Sequence, residues 1–325
     1  MTKHATDELK KTAEIAGKIK DNISRVLVGK ETAVELALVS LGCEGHLLIE
    51  DVPGVGKTMF ARALAISLGL SFNRIQCTPD LLPSDVTGFT VFNPKSGEFN
   101  FRCGSIMSHI VLVDEINRAT PRTQASLLEA MEERQVTVDG TTHALERPFL
   151  VMATENPVEF EGTFPLPEAQ LDRFLLRLSM GYPTHEEEIT MLEKLSGEHP
   201  INQIGKVVEP GEIPILLAAR RQIFVEDSLR GYITAVADKS REHPELELGV
   251  SPRGVLALFN AARMLAALRK RRFVIPEDIK YLAPYVLSHR VLVSAEAAVK
   301  GVRGEALVKE ILESTPVPTE DAFHG

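Results

Sequence analysis

The sequence lacks tryptophan and has only four tyrosines, so aromatic platforms for stacking nucleic-acid bases are scarce. Its three cysteines are far apart and form no CxxC pair, which argues against a disulfide framework or a zinc site; we expect them to be reduced and mostly buried. No apolar run approaches the roughly 20 residues that cross a bilayer. The charged N-terminal segment also lacks the apolar stretch of a secretion signal. These absences predict a cytoplasmic protein without membrane insertion.

Basic residues are outnumbered, 36 against 45 acidic ones, and the net charge of −9 disfavours binding to the phosphate backbone of nucleic acids. The only dense basic run is Arg269-Lys-Arg-Arg272, and it ends a predicted helix, where the helix dipole favours cations. A solvated helix end explains this run more simply than a nucleic-acid site. With 44% hydrophobic and 25% charged residues among 325, the chain has the composition of a globular protein of one large or two moderate domains.

Short apolar runs alternate with helical patterns in residues 1–183. The predicted strands are His46–Glu50, Phe72–Gln76, Ile110–Asp114, Phe149–Ala153 and Leu175–Met180. Buried strands that alternate with helices form parallel sheets covered on both faces, so this region is predicted to be an α/β domain. After Pro183 the strands give way to helical patterns. We therefore predict a domain boundary there, with a helical region in residues 184–325.

Two segments of the α/β region interrupt this rhythm. Phe89–Phe101 and Val136–Thr142 alternate apolar and polar residues, which is typical of half-exposed strands. Each is therefore predicted to be a hairpin, and Asp139-Gly140 suits a tight turn with positive φ in the second.

The strongest functional signal is the segment Asp51-Val-Pro-Gly-Val-Gly-Lys-Thr58, between a predicted strand and a predicted helix. A loop of this kind holds the phosphates of ATP or ADP with backbone N–H groups at a helix N-terminus. Lys57 is expected to reach the terminal phosphates and the Thr58 hydroxyl to bind Mg²⁺. The usual pattern opens with glycine, whereas Asp51 occupies that position here. The residues predicted to surround the phosphates are Pro53, Gly54, Val55, Gly56, Lys57 and Thr58.

Two further predicted strands end in polar side chains. The strand Ile110–Asp114 runs into Glu115, which places Asp114 beside the metal and lets Glu115 polarise a water for attack on the γ-phosphate. After another strand comes Asn156, whose amide could lie between the γ-phosphate and that water. A turn before Pro157 is the alternative interpretation of this asparagine.

The strings DVPGVGKT, VDEINRA, ATENPVEFEGTFPLPEAQLDRF and GVSPRG resemble the MoxR branch of the AAA+ ATPases, over residues 26–317. The resemblance implies an αβα nucleotide-binding domain with a smaller, all-helical lid, assembled as a homo-oligomeric and commonly hexameric ring. It implies Walker A at Lys57 and Thr58, Walker B at Asp114 and Glu115, and sensor 1 at Asn156. The two predicted hairpins match the helix-2 insert and the pre-sensor hairpin of this clade. Val28 and Gly29 match the start of its adenine pocket.

Two arginines match family positions whose roles the resemblance supplies. Arg173 matches the arginine finger, which reaches the γ-phosphate bound by the neighbouring subunit and accelerates hydrolysis by about 10³–10⁵ in P-loop enzymes. A local salt bridge to Asp172 or Glu168 is the alternative. Arg253 matches sensor 2, a lid arginine that contacts the nucleotide. The alternative here is a surface arginine at a helix N-terminus, a position that disfavours cations.

The residues and the resemblance together predict a Mg²⁺-dependent ATPase of MoxR type that remodels a protein client, as a chaperone or in metal-cofactor maturation. The resemblance also implies a partner protein with a von Willebrand factor A domain. One alternative is the motor subunit of a magnesium chelatase. The other, a nucleic-acid motor resembling MCM helicases, needs cations at the hairpin tips. The first hairpin offers Lys95 at its turn and Arg102 at its base, and the second offers none.

Overall fold

The computed structural model of the protein describes residues 3–158, 162–194 and 200–318. The helices before residue 180 are α1 (Lys3–Ser24), α2 (Glu31–Gly42), α3 (Lys57–Leu68), α4 (Pro83–Thr87), α5 (Pro121–Glu133) and α6 (Glu168–Leu171). The strands there are β1 (Leu47–Glu50), β2 (Phe72–Gln76), β3 (Gly88–Asn93), β4 (Glu98–Cys103), β5 (Ile110–Asp114), β6 (Gln135–Val138), β7 (Thr141–Ala144), β8 (Leu150–Glu155) and β9 (Leu176–Leu178).

Helices dominate the described residues after Pro183, the region predicted to be the lid. They are α7 (His185–Lys194), α8 (Ile213–Ala218), α9 (Asp227–Glu242), α10 (Pro252–Leu268), α11 (Pro276–Leu287), α12 (Ala295–Val299) and α13 (Gly304–Ser314). A short antiparallel ribbon of β10 (Leu246–Leu248) and β11 (Leu292–Val293) adds to the predicted all-helical content. Ser251 caps α10, where its hydroxyl accepts a hydrogen bond from the Gly254 amide at 3.1 Å.

Five parallel strands form the central sheet, in the order β2-β5-β8-β1-β9. The predicted parallel α/β sheet is therefore confirmed. Successive strand side chains point to opposite faces, and the two faces pack in different layers. In β1, Leu47 and Ile49 pack with α1, α2, α3 and the lid, whereas Leu48 packs with residues of α5.

The N-terminal helices connect this sheet to the lid. Both α1 and α2 contact α10, and α1 also contacts α3 on the face of the sheet. Buried apolar residues of all these elements, among them Ile19, Leu38 and Leu265, belong to one continuous core. The lid is thus packed onto the sheet layer through helices that precede it in the chain. The predicted boundary at Pro183 stays a prediction.

Both predicted hairpins are present as β3–β4 and β6–β7. The second turns at Asp139 (φ 48°) and Gly140 (φ 77°), the pair of positive φ angles that a two-residue hairpin turn requires. The two hairpins touch where the rings of Phe101 and His143 stack with centroids 3.8 Å apart.

The basic run at the end of α10 is largely used within the fold. Arg269 donates to Glu35 at 2.9 Å and lies over the Tyr281 ring, 4.9 Å from its centroid. Arg271 donates to the fully buried Asp278 at 2.6 Å. These ion pairs support a helix end rather than a nucleic-acid site.

The three cysteines differ in exposure. Cys77 is buried and Cys43 half-buried, but Cys103 is exposed on β4, where the expectation of burial is wrong. The strand β4 belongs to a two-stranded ribbon, which has too little sheet around it to cover both faces. No helix in the described part of the chain is both long and apolar enough to cross a membrane.

Candidate functional site

The loop between β1 and α3 has the backbone that an anion site needs. Gly54 and Gly56 have φ angles of +88° and +92°, values that residues with a side chain rarely adopt. Helix α3 then begins at Lys57, and no side chain caps its N-terminus. The first N–H groups of a helix have no intrahelical acceptor, so an anion at this loop would satisfy them.

Lys57 points back into its own loop. Its ammonium donates a 2.7 Å hydrogen bond to the main-chain oxygen of Asp51. Burial lowers the pKa of Lys57, and the nearby carboxylates of Asp114, Asp51 and Glu115 oppose that shift. The lysine is therefore held close to the loop by a neutral carbonyl, a partner that a phosphate can replace.

Asp114, at the end of β5, is buried and held from two sides. Its Oδ1 accepts a 2.7 Å hydrogen bond from the Thr154 hydroxyl, and its Oδ2 accepts 2.7 and 3.1 Å hydrogen bonds from the Arg74 guanidinium. Thr154 comes from β8 and Arg74 from β2, the two strands that flank β5. The carboxylate orientation is therefore set by the order of the strands.

Glu115 follows Asp114 in a left-handed conformation, with φ 56°. Such a backbone is unfavourable for a residue with a side chain and is found preferentially at functional sites. The Glu115 amide donates to the Thr154 hydroxyl at 2.9 Å. Its carboxylate accepts hydrogen bonds of 3.2 Å from both Gln76 and Arg118. One amide donor and one cationic donor thus hold the Glu115 carboxylate beside the loop.

Lys57, Asp114 and Glu115 line one cleft of about 370 Å³, here called the P-loop cleft. Asn156 also lines it, is buried, and accepts a 3.2 Å hydrogen bond from the Val158 amide. That contact is the local turn expected as the alternative, and it coexists with a position facing the cleft. The P-loop cleft is lined by Pro53, Gly54, Gly56, Lys57, Thr58, Met59, Arg74, Gln76, Asp114, Glu115 and Asn156.

The chemistry of this cleft fits Mg²⁺. The Thr58 hydroxyl and the Asp114 carboxylate are hard oxygen ligands, and both line the cleft. In the described residues, no group of three or more His, Cys, Asp and Glu side chains could hold a metal. An ion bound here would therefore depend on phosphate oxygens and water for its remaining ligands, as Mg²⁺ in nucleotide sites does.

An apolar pocket of about 230 Å³ adjoins the P-loop cleft, since Gly54, Gly56 and Met59 line both. Val28, which the resemblance assigns to the adenine pocket, lies in its wall, whereas Gly29 is not among the lining residues. Val55, expected beside the phosphates, lines this pocket and not the P-loop cleft. Gly29 (φ 68°) lies against α7, because a Cβ there would meet a Glu187 carboxylate oxygen at 1.7 Å. We call this cavity the apolar pocket. Its lining residues are Val26, Leu27, Val28, Lys30, Gly54, Val55, Gly56, Met59, Pro183, Met191, Lys194 and Pro200.

Arg173 and Arg253 lie in a different cleft of about 360 Å³, between the sheet layer and α10, here called the arginine cleft. Glu132 joins them: its two carboxylate oxygens are each 3.2 Å from one of the guanidinium groups. The alternative partner Asp172 is instead paired with Arg290 at 2.7 Å. The two arginines are thus brought together by a residue of α5.

The P-loop cleft lies at the carboxyl ends of the parallel strands, and the arginine cleft lies near their amino ends. Lys57 follows the carboxyl end of β1, whereas Arg173 precedes the amino end of its parallel neighbour β9. At about 3.3 Å per residue, the four residues of β1 alone separate these ends by roughly 10 Å. Arg173, and Arg253 in the same cleft, therefore lie near the amino ends of the strands, whereas the loop of their own chain lies at the carboxyl ends.

Sequence reasoning did not identify three charged residues of these sites: Arg74, Lys30 and Glu132. Arg74 lies within β2 and gave one usable signal, a charge in a predicted strand two residues before Gln76. Lys30 is buried and binds backbone carbonyls of residues 180 and 181. Glu132 looks from the sequence like any charged residue on an amphipathic helix, and only its neighbours distinguish it.

Comparisons with known proteins agree with this architecture. Residues 46–176 match the ATPase family associated with various cellular activities (AAA), and residues 238–311 match the AAA lid domain. The chain is 52% identical to uncharacterized protein YeaC of Bacillus subtilis, over 94% of this chain and 96% of that protein. It is 38% identical to chaperone MoxR1 of Mycobacterium tuberculosis, over 92% and 81%. A crystal structure of a Cytophaga hutchinsonii protein superposes with a TM-score of 0.91 at 33% identity, covering 98% of this chain and 99% of that one.

Proposed function

The chain belongs to the MoxR family of AAA+ ATPases, and on this premise we propose that it hydrolyses Mg²⁺-bound ATP in a homo-oligomeric ring to remodel a protein client. The observation that carries the ATPase proposal is the single cleft that contains Lys57, Thr58, Asp114, Glu115 and Asn156. The adjoining apolar pocket provides a surface for the base. Phosphate-binding, metal-binding and water-activating groups thus surround one volume.

The residues of the P-loop cleft divide the chemistry among them. The loop amides and the Lys57 ammonium bind the phosphates, and Lys57 exchanges the Asp51 carbonyl for a phosphate oxygen when it does so. Thr58 and Asp114 would hold Mg²⁺, which neutralises charge on the β- and γ-phosphate oxygens. Glu115 accepts the proton of the attacking water, and Asn156 orients that water. Asp114 keeps its orientation through Thr154 during this sequence.

The arginine cleft supplies the reason for a ring. Because Arg173 and Arg253 lie in a cleft separate from the P-loop of their own chain, we propose that both contact the γ-phosphate bound by a neighbouring copy. Two guanidinium groups near one anion stabilise the charge that develops in the transition state. In the single chain the Glu132 carboxylate pairs with both guanidinium groups. On assembly the phosphate would replace this carboxylate. Head-to-tail contacts of this kind form a closed ring when the rotation between copies closes, and we propose such a ring, which the family resemblance implies is commonly hexameric.

The ATPase proposal is tested by measuring phosphate release from ATP with and without Mg²⁺, for the wild type and Glu115→Gln. We expect the variant to bind ATP as the wild type does but to hydrolyse it at least about 100-fold more slowly, because the amide cannot accept a proton. Glu129→Gln, an exposed carboxylate on α5, is the matched control and should leave the rate unchanged. Wild-type turnover by Glu115→Gln would remove this residue from the role of base.

The client role rests on the family and on the name of the relative chaperone MoxR1. We propose chaperone-like remodelling or metal-cofactor maturation of a protein, together with a partner that carries a von Willebrand factor A domain. Glu115→Gln, which should hold ATP without hydrolysing it, is suited to capturing such proteins in a pull-down. ATP-dependent recovery of one defined protein would support the proposal, and recovery that Lys57→Ala leaves unchanged would contradict it.

A further inference from the structure

Asp51 occupies the position where the usual phosphate-binding loop has glycine, and its carboxylate is buried, with only 6% of the residue exposed. Its Oδ2 accepts three hydrogen bonds: from the Met180 amide at 2.6 Å, the Gly181 amide at 2.8 Å and the Ser179 hydroxyl at 3.1 Å. The other oxygen accepts from the Val52 amide at 3.1 Å. A buried carboxylate is tolerated when donors surround it in this way. The P-loop is therefore fastened to residues 179–181, here called the clamped turn.

Lys30 binds the main-chain carbonyl groups of the same turn. The Lys30 ammonium donates to the main-chain oxygens of Met180 at 2.8 Å and of Gly181 at 3.0 Å, and only 7% of the residue is exposed. Lys30 follows Val28 and Gly29 and lines the apolar pocket. Asp51 of the P-loop thus binds the amides of the clamped turn, and Lys30 of the apolar pocket binds its carbonyl groups.

The clamped turn is also the start of the connection from β9 to α7, the first helix of the predicted lid region. It follows β9 and leads through Pro183 into α7, whose residues Met191 and Lys194 line the apolar pocket. Glu187 of α7 lies directly against Gly29. A shift of the clamped turn therefore moves α7 relative to the apolar pocket.

Lys57 connects this arrangement to the phosphates. Its ammonium donates to the main-chain oxygen of Asp51, the residue whose side chain holds the clamped turn. When a phosphate takes Lys57 away from that oxygen, Asp51 loses a partner on its main chain while its side chain stays bound to the turn. Asp51 thus links the lysine that faces the phosphates to the peptide that leads into α7.

We infer that Asp51 and Lys30 are positioning residues that couple nucleotide binding to the lid by holding residues 179–181 between them. The inference rests on the proposed ATPase function and deepens it. The side chain of Asp51 acts through the clamped turn, since all of its hydrogen bonds go to residues 52 and 179–181.

Asp51→Gly is the primary test, because it restores the usual residue and keeps the main-chain oxygen for Lys57 while it removes the side chain that carries the carboxylate. We expect ATP affinity and KM within about threefold of wild type and a kcat at least about tenfold lower, since the lid no longer follows the nucleotide. Asp51→Asn keeps one acceptor oxygen and should recover part of kcat. Lys30→Met should lower kcat as well, and adding it to Asp51→Gly should cost less than the product of the two single effects.

Amide hydrogen exchange of the segment 179–194 gives a readout that a merely structural role would not move. In the wild type, ATP should change exchange in this segment. In Asp51→Gly the amides of Met180 and Gly181 should exchange faster, and ATP should no longer change the segment. Glu35→Gln is the matched control, because Glu35 is a buried carboxylate that joins α2 to Arg269 away from both nucleotide cavities.

The outcomes separate this inference from the proposed function. A wild type that neither binds nor hydrolyses ATP overturns the proposed function and the inference with it. A wild type that hydrolyses ATP, beside an Asp51→Gly protein with the same kcat and the same ATP-dependent exchange, overturns the inference alone. An equal loss of ATP-dependent exchange in Glu35→Gln also overturns it. If Asp51→Gly does not fold, as judged by circular dichroism, Asp51→Asn and Lys30→Met decide by the same two measurements.

Discussion

The P-loop cleft and the arginine cleft have similar volumes but are built in opposite ways. The first lies at the carboxyl ends of β1, β5 and β8, and most of its groups come from short segments that directly follow a strand. The second lies near the amino end of β9 and is assembled from α5, the start of β9 and the lid helix α10. One is a product of local chain geometry, and the other depends on packing between distant elements.

The charged residues near the two clefts also differ: carboxylates lie beside the P-loop cleft, and arginines dominate the arginine cleft. Beside the P-loop, the carboxylates Glu50 and Glu155 lie on paired strands, with Arg177 bound to Glu50 at 3.0 Å. In the arginine cleft, Arg173 and Arg253 share the single carboxylate of Glu132. An edge that binds a nucleotide and an edge that offers paired cations on the same molecule are complementary between copies. Under the proposed function, the two clefts are two halves of one site that a second copy of the chain would complete.

The largest expected effect is a loss of ATP affinity on substitution of a residue in the P-loop cleft. Lys57→Ala should weaken ATP binding at least about 100-fold, because the loop loses the cation that faces the phosphates. Equilibrium binding of a fluorescent ATP analogue measures this loss. Lys206→Ala removes a lysine whose ammonium pairs with Glu209 on the surface, and should bind as the wild type does. Tight binding by Lys57→Ala would mean that the nucleotide lies elsewhere.

A mixing experiment tests the comparison directly. Arg173→Ala and Lys57→Ala should each be nearly inactive, but an equal mixture should recover activity, because about a quarter of random interfaces would pair an intact P-loop with an intact arginine. Phosphate release at several mixing ratios measures the recovery. A mixture of Lys57→Ala with Glu115→Gln, both defective in the same cleft, is the control and should stay inactive. Inactivity of the first mixture, with both variants assembled, would place the arginine in its own chain's site.

The smallest effect concerns the acidic edge beside the P-loop. Burial, together with Glu50, raises the pKa of Glu155 from its ordinary value of 4.5 to about 7, and Arg177 opposes the shift. The folded state therefore holds this proton to a higher pH than the unfolded chain, so the free energy of unfolding falls as pH rises from about 4.5 to 7. The loss should amount to roughly 1–3 kcal/mol.

Glu155→Gln should abolish that loss. Melting temperatures of the two proteins between pH 5 and 8 are expected to diverge as pH rises, in favour of the variant, and to run parallel above pH 7. Glu277→Gln, a carboxylate in the first turn of α11 far along the chain, controls for removal of one negative charge. A constant difference between wild type and Glu155→Gln across this range would contradict the assignment.

How far the sequence could predict the molecule is clear from particular residues. The strands β1, β5 and β8 were predicted because each is a nearly continuous apolar run, and β2 and β9 although polar residues interrupt them. The turn at Asp139-Gly140 was predicted because few residues adopt positive φ. The ion pair between Arg74 and Asp114 could not be predicted, since the local sequence does not determine that β2 lies beside β5. Nor could Asp51 be explained, because the amides it binds lie about 130 positions further along the chain.

The sequence by itself determined the loop that holds an anion, because Gly54, Gly56 and the start of α3 fix the direction of consecutive N–H groups by local sterics alone. It also determined which strand ends carry carboxylate and amide groups. Only the tertiary structure decided which charges become neighbours: Glu132 with two arginines, Asp51 with the clamped turn, Arg74 with Asp114. The reason is physical, since backbone geometry is set within a few residues, whereas contact between distant side chains exists only once the sheet order and helix packing have been chosen.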